Sequence, residues 1–326
     1  MRKHLLKLLN KFSKSSLVVV GDLIADEFLY GQVARISREA PVLVLDCQHT
    51  VRLPGGAANA ANNLLALGAG VTIAGCVGRD LPGNEIVSAL ESRGANVLPV
   101  RRVRSYATPI KTRILAGAHH MAPHQIVRVD RCRALDSSPR FSRSMLERAV
   151  QGADGILLSD YGYGTLSGRL LSDLRRMAAA KGIPIVADSR FAMAAYSGIT
   201  AMTPNITELE ASTGVAIGSD AALLYETARE VLARQRLQFL LVTQGRFGMT
   251  LFESGKPPLH IPIYGTDEVA DVTGAGDTVI AVCTLALACG APPPHAARLA
   301  NYAGGIVVMK RGTATVSPAE LENALK

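Results

Sequence analysis

Gly155-Ile-Leu-Leu-Ser-Asp160, the stretch Leu166 to Ala180, and Pro184-Ile-Val-Ala-Asp188 follow one another with only short gaps. The first apolar run, Gly155 to Leu158, ends at Ser159-Asp160 and reads as a buried strand; the second stretch reads as a helix, and the third as a strand, Pro184 to Ala187, ending at Asp188. Strand and helix alternate onward from Gly155. Ala201 to Thr203 reads as a short strand, Ile206 to Ser212 and Ala221 to Arg234 as helices, and Phe239 to Thr243 as a strand. Two long helices, Gly274 to Ala288 and Pro294 to Met309, close the series. This alternation predicts an α/β fold whose mostly parallel sheet is covered by helices on both faces. Several strands end in Asp, Asn or Thr, and open α/β sheets bind ligands beyond the carboxyl ends of their strands.

Upstream, Leu17 to Val20 and Val71 to Val77 read as strands. Ala57 to Leu67 and Pro82 to Ser92 read as helices, Pro82 suiting a first turn. Met1 to Ser16 reads as a short amphipathic helix, since Lys7 and Lys11 interrupt its apolar run and no small-residue cleavage site follows. Two regions, Val33 to Val51 and Val103 to Asp130, read as short strands that fit no βαβ unit. They predict a small second sheet, a lid that excludes water or pairs with another subunit. The expected organisation is one domain over 1–326, with lid segments at about 33–51 and 103–130.

Of 326 residues, 48% are hydrophobic and only 19% charged, enough for a large core. The net charge of +8 suits an anionic small substrate as well as nucleic acid. Aromatics are 5% and Trp is absent, which argues against base-stacking platforms. Cys47, Cys76, Cys132, Cys283 and Cys289 form no C-x-x-C pair and read as reduced cytosolic thiols. No apolar run is long enough to span a membrane.

The sharpest chemical signal is Asp271-Val-Thr-Gly-Ala-Gly-Asp277, leading into an apolar helix. Small residues let a ligand approach the backbone, and the amides of Gly274, Ala275 and Gly276 at a helix N-terminus would bind an anion. Asp277 beside them can accept the proton of a hydroxyl attacking a phosphate; a capped helix explains the same spacing equally well. Gly55-Gly56 permits a tight turn, with Asn59 facing whatever the turn approaches, though on its own the pair reads more simply as an ordinary loop-to-helix junction. Asn205-Ile-Thr-Glu208 makes a capping-box pattern, and the same two side chains suit Mg²⁺ held through water. Asp22 and Asp26 follow the first strand, where carboxylates either fix sugar hydroxyls or form turns. There is no G-x-x-x-x-G-K-[ST] and no G-x-G-x-x-G after Val18 to Asp22. His119, His120 and His124 lack carboxylate or Cys company, which favours a solvated loop over a metal site.

Together these motifs resemble the ribokinase-like (PfkB) carbohydrate kinases, from about Val18 to Pro318. The resemblance rests on Gly55-Gly56, on Asn205 to Glu208 and on Asp271 to Asp277, where Val272 replaces the usual Thr. It implies a doubly wound ribokinase-like fold, ATP as donor, Asp277 as catalytic base and an anion hole at Gly274 to Gly276. Within the family the chain is similar to the D-glycero-β-D-manno-heptose 7-phosphate kinases, through Arg35 to Val42, Pro54 to Asn59, Lys111-Thr-Arg113, Arg128-Val-Asp130, Thr203-Pro-Asn205, Asp271 to Ile280 and Lys310 to Val316. This implies phosphorylation of the anomeric hydroxyl of a heptose 7-phosphate in lipopolysaccharide core biosynthesis, with Lys111, Arg113 and Arg128 on the 7-phosphate. By the same resemblance Asp22, Asp26, Gly55, Gly56, Asn59 and Asp160 would face the sugar. Asn205, Thr243, Gly245, Gly274, Gly276 and Asn301 would lie along the nucleotide, Glu208 and Asn205 would hold Mg²⁺, and Asp271 and Thr273 would flank a monovalent cation such as K⁺.

The chain departs from the family at Ser159-Asp-Tyr-Gly-Tyr-Gly164, where Ser-Asp-Tyr-x-Lys-Gly is usual, and at Asp188-Ser-Arg190, where Asp-Pro-Lys is usual. These changes motivate an alternative, a kinase for another sugar or sugar phosphate. A non-catalytic sugar-binding regulator is opposed by the intact Asp277 and glycine turn. Many heptose kinases carry a further nucleotidyltransferase domain, and the expectation here is the kinase step alone. The remaining expectations are a cytoplasmic homodimer joined through the lid, with no nucleic-acid or membrane partner.

Overall fold

The computed structural model describes residues 1–117, 123–137, 139, 141–265 and 270–326. Its strands are β1 (Ser16–Gly21), β2 (Leu23–Ile36), β3 (Leu43–Gly56), β4 (Gly70–Gly78), β5 (Val100–Val103), β6 (Ile110–Gly117), β7 (His124–Arg131), β8 (Gly155–Asp160), β9 (Ile185–Ser189), β10 (Ala201–Met202), β11 (Phe239–Thr243), β12 (Met249–Glu253) and β13 (Leu259–Ile261). Its α-helices are α1 (Arg2–Phe12), α2 (Ala57–Ala66), α3 (Leu81–Glu91), α4 (Arg143–Gln151), α5 (Gly168–Lys181), α6 (Ile206–Thr213), α7 (Ala221–Arg234), α8 (Ala275–Ala288), α9 (Pro293–Val308) and α10 (Pro318–Ala324).

Among the described residues, nine strands form the main sheet in the order β13-β12-β11-β10-β9-β8-β1-β4-β5. All pair in parallel except β12 and β13, which add an antiparallel edge. Both faces are dry. Leu17, Val19, Leu157 and Val186 point into one apolar layer, and Val18, Val20, Ile156 and Leu158 into the other. Strands covered on both sides carry continuous apolar runs instead of alternation, which is why β1, β8 and β11 read so plainly in the sequence. Helix α8 is buried along Asp277 to Ala286, between the sheet and α9. A helix apolar all round belongs in a core, and its one charged residue there is Asp277.

Strands β3-β2-β6-β7 form the second sheet. Its extent differs from the expected lid segments. β2 and β3, of 14 residues each, form a hairpin that starts at Leu23, with irregularities between Tyr30 and Gly31 and between Val33 and Arg35. β5, expected at the lid's border, pairs instead with β4 in the main sheet. The apolar pattern of Leu23 to Leu29 was hidden by Asp26 and Glu27, two charges buried inside the sheet. α4, α10, β12 and β13 are too short or too mixed in composition to stand out by periodicity. Because β2 leaves β1 directly and β3 runs into α2, the lid rises from the carboxyl end of β1, beside the N-terminus of α8.

Where β1 ends, Gly21 lies so close to the Ser159 carbonyl of β8 that an added Cβ would overlap it. This contact brings Asp22 to the loop that follows β8.

Candidate active site

Asp277 sits in the first turn of α8, whose N-cap is Gly274 in the left-handed region (φ 77°). Only glycine adopts that conformation without cost, and here it turns the chain so that Asp277 faces inward. Asn59 of α2 donates from Nδ2 to Asp277 Oδ2 at 2.9 Å, and Tyr161, just after β8, donates its hydroxyl to Oδ1 at 2.9 Å. Burial pushes the Asp277 carboxyl up from 3.8 to about 6, against the pull of these two hydrogen bonds; Asp26 adds to the rise and Lys111 opposes it. The Ala275 amide is taken by the Val272 carbonyl at 3.2 Å. Among the described residues no acceptor takes the amides of Gly274, Gly276 and Asp277, so two of the three amides that the sequence pattern named are free, with that of Asp277 beside them.

The glycine turn separates two cavities. On one side Gly274 and Asp277 line a cavity of about 200 Å³ with Asp26, Lys111, Arg113, Arg128, Tyr161 and Arg190. Strand register builds it. Asp26 of β2 lies beside Lys111 of β6, and Arg113 of β6 opposite Arg128 of β7. Alternation then sends Asp26, Lys111, Arg113 and Arg128 to the same face. Arg113 pairs with Asp26 at 2.6 Å, both nearly buried, and Arg128 pairs with Asp130 at 2.5 Å. Lys111 and Arg190 have no carboxylate partner among the described residues; they lie on the Tyr161 ring, at 4.3 Å and 4.6 Å from its centroid. Four cations face two carboxylates, Asp26 and Asp277, so the cavity is matched to an anion.

On the other side, Ala275, Gly276 and Asn301 line a cavity of about 200 Å³ with Thr243 and Gly245. A larger cavity of about 810 Å³ shares Thr243, Gly245, Arg246 and Ile263 with it and extends to Asn205, Phe247 and His260. Asn301 also donates to the Pro262 carbonyl at 2.9 Å, holding one wall.

The remaining expected residues do other work. Asp22 does not line the cavity. Its carboxylate accepts the amides of Tyr161, Tyr163 and Thr165 at 2.9, 3.0 and 3.1 Å, and burial raises its pKa despite them. Asp160 is also turned away, accepting from the Gly162 amide, the Ser189 hydroxyl and the Tyr196 hydroxyl. Both carboxylates hold the loop that carries Tyr161. At Gly55 a Cβ would collide with the Asp26 carboxylate, which explains the glycine there. Asn205 and Glu208 form a complete capping box, each side chain accepting the other's amide. Asp271 accepts the amides of Thr273 and Gly312, tying the turn to the loop before α10. His119 and His120 lie outside the described residues, and His124 is exposed at the start of β7.

Sequence reasoning missed Tyr161, Arg190 and Asp188 as site residues. Tyr161 and Arg190 were visible only within the two departures from the family pattern. Of those departures, Ser189 is bound to Asp160 and Tyr163 is not among the cavity's lining residues, while Arg190 reaches the cavity and keeps it basic. Asp188 carries a buried oxygen, Oδ1, without a hydrogen-bond partner. Its pKa is held well above the usual range by burial and by Glu208 and Asp277.

The sequence matches the pfkB family carbohydrate kinases over residues 14–320. The bifunctional protein HldE of Trichlorobacter lovleyi is 40% identical over 324 residues, which are 98% of this chain and 65% of that protein. HldE of Geobacter sulfurreducens is 40% identical over 328 residues, 99% of this chain and 66% of that protein. The chain thus spans just under two thirds of these relatives. Among solved structures, Arabidopsis thaliana ribokinase complexed with ribose and ATP superposes with a TM-score of 0.74 at 21% identity, covering 96% of this chain and 99% of that one. Escherichia coli phosphofructokinase-2 in complex with potassium gives 0.72 at 21% identity, covering 95% and 97%. These likenesses establish a ribokinase-like fold with a small lid sheet.

Asp22→Ala would leave three amides without their acceptor. Each such orphan costs roughly 1–3 kcal/mol when buried, so urea unfolding should show a loss of at least about 3 kcal/mol.

Proposed function

Since the chain belongs to the pfkB family of carbohydrate kinases, and so transfers phosphate from ATP to a sugar hydroxyl, we propose that its acceptor is the anomeric hydroxyl of D-glycero-β-D-manno-heptose 7-phosphate, giving the 1,7-bisphosphate. One observation carries the phosphosugar part of this reading: Lys111, Arg113, Arg128 and Arg190 converge on the cavity that Asp277 lines. A neutral sugar would leave Lys111 and Arg190 without an anionic partner, since only Arg113 and Arg128 have carboxylates of their own. The heptose itself is supported by the sequence resemblance at Arg35 to Val42, Lys111 to Arg113 and Lys310 to Val316. The reading treats 1–326 as one kinase unit with a lid, working in the cytoplasm where ATP and sugar phosphates are found.

In this scheme the nucleotide occupies the cavities from Asn205 to Asn301, and its terminal phosphate meets the amides of Gly276 and Asp277. The sugar lies across the turn, phosphate toward Lys111, Arg128 and Arg190, with Asp26 free on Oδ2 to receive a sugar hydroxyl. Asp277 Oδ1 and Oδ2 keep lone pairs beyond those used by Tyr161 and Asn59, and one accepts the proton of the attacking hydroxyl. Mg²⁺ fits beside Asn205, Glu208 and Asp188, because Asp188 Oδ1 is an acceptor that lacks a donor. Its contribution there would be to neutralise phosphate charge. K⁺ at Asp271 and Thr273 finds weaker support, since both Asp271 oxygens already take amides.

The lid also supports a homodimer. Ile36 and Val42 are 67% and 56% exposed, and Leu43, Val127 and Val129 on the same sheet are exposed too. Leu43, Val127 and Val129 lie on the edge strands β3 and β7, with Ile36 at the end of β2 and Val42 in the turn between β2 and β3, and edges bearing exposed apolar residues call for cover.

Asp277→Asn keeps the shape and removes the base, and should lower kcat about 10²–10⁴-fold with little change in sugar binding. An ATP-consumption assay across heptose, ribose, fructose and tagatose phosphates reads both the acceptor and this loss; full turnover by the variant sinks the mechanism. In the wild type the base must be ionised, and ionisation is lost as pH falls through its pKa. With Asp277 at about 6, kcat/KM should therefore be level above pH 7 and fall toward tenfold per unit below pH 6. For the lid, sedimentation should find a dimer at micromolar concentration and a monomer for Ile36→Lys with Val42→Lys; a monomeric wild type would rule the dimer out.

A further inference from the structure

We propose that Tyr161 is a positioning residue that joins the anion end of the cavity to the base: its hydroxyl sets the Asp277 carboxylate, while its ring holds Lys111 and Arg190 ready for the substrate's phosphate. This rests on the reading of Asp277 as proton acceptor. The three contacts are independent of one another. The hydroxyl donates to Asp277 Oδ1 at 2.9 Å. Lys111 Nζ lies 4.3 Å and the Arg190 guanidinium 4.6 Å from the ring centroid.

The residue is itself fixed. Its amide donates to Asp22 Oδ2 at 2.9 Å, and Asp22 also takes the amides of Tyr163 and Thr165, so the loop after β8 cannot shift without stranding buried donors. Burial, and the negative charge of Asp277, keep the phenol protonated. It therefore acts only as a donor toward Asp277. With Asn59 donating to the other oxygen, the carboxylate plane is set from two directions. The charged groups facing Asp277 are Asp26 from β2, Lys111 from β6 and Asp188 from β9. Tyr161 and Asn59 supply the hydrogen bonds that favour the ionised form.

The ring solves a second problem. A site that binds phosphate needs cations in place before the ligand arrives, yet a carboxylate partner would compete with the phosphate and be left unpaired on its arrival. An aromatic face attracts a cation more weakly than a charge-assisted pair with phosphate does. Lys111 and Arg190 are thus held without being neutralised, and no buried charge is orphaned when they turn to an anion. Arg113 and Arg128, by contrast, already have carboxylate partners in Asp26 and Asp130.

The test compares the full chain with Tyr161→Phe, which removes only the hydroxyl, and Tyr161→Leu, which removes the ring as well. The phenylalanine variant should move the acid limb of kcat/KM with heptose 7-phosphate up by about 1 pH unit, the size expected for losing one hydrogen bond to a carboxylate. Its KM for the phosphosugar should stay within about twofold. The leucine variant should show the same limb and a KM at least about tenfold higher. Calorimetric titration with inorganic phosphate, the nucleotide side filled by a non-hydrolysable ATP analogue, should show the same weakening for leucine and none for phenylalanine. A ¹³C titration of the Asp277 carboxyl, assigned through Asp277→Asn, reads the hydroxyl's hold without turnover. If Asp277→Asn stays active, the base assignment fails while that titration still decides the role of Tyr161. An unmoved Asp277 titration in Tyr161→Phe, or unchanged phosphate affinity in Tyr161→Leu, overturns the proposal.

Discussion

A carboxylate placed inside a dry helix terminus must be held by donors, and the way Asp277 meets this requirement organises the site. Its two oxygens are reached by Asn59 from α2 and Tyr161 from the β8 loop. One packs against β1 and the other follows the strand that pairs with it. α2 is delivered there by the lid hairpin β2–β3, and the β8 loop is secured by Asp22 at the end of β1. Asp277 is therefore not a residue presented by one loop. It is the meeting point of the main sheet, the lid and the last buried helix, and its elevated pKa is the electrostatic consequence of that burial.

The lid contributes charge through register more than through sequence motif. Parallel pairing of β2 with β6 aligns Asp26 with Lys111, and antiparallel pairing of β6 with β7 sets Arg113 against Arg128. A slip of one residue would carry the set to the other face, where Glu27, Thr112 and Arg52 form a separate hydrogen-bonded network. Glu27 takes Thr112, Arg52 and Arg131 there, and hydrogen bonding by these partners holds its pKa low in spite of burial. The two buried acids in adjacent positions, Asp26 inward and Glu27 on the reverse, each have their own cation. That pairing fixes the register and with it the composition of the cavity.

Much of the main sheet was legible because strands buried on both faces are apolar without interruption. α7 and β11 match their sequence bounds, and most other elements fall within one or two residues. The glycine turns at Gly55-Gly56 and Gly274 to Gly276, with Asn59 and Asp277 beside them, were also legible, since such turns are local features, whereas Thr243, Gly245 and Asn301 came only from the family resemblance. What could not be read was the destination of each polar side chain. Asp22, Asp26 and Asp160 look alike at the ends of strands, yet Asp26 faces the cavity while Asp22 and Asp160 are saturated by loop amides and hydroxyls. Which carboxylate is filled depends on where a distant loop returns, and no periodicity encodes that.

The two departures from the family pattern become one physical change once the loop is in view. Tyr163 and Ser189 both turn to the scaffold, Tyr163 toward Cys132 with a raised phenol pKa, and Ser189 toward Asp160. Arg190 then carries its positive charge over Tyr161 to the cavity, and it acts on Asp188 and Glu208 as well. A guanidinium is planar, permanently charged and able to stack on a ring while its edge still donates, which an ammonium cannot do in the same way. Arginine at this position accordingly keeps the anion site basic where a neutral tyrosine stands at 163. Its charge is felt at Asp188 and Glu208 as well as in the cavity beside Asp277, lowering both of those carboxyls against the rise that burial imposes.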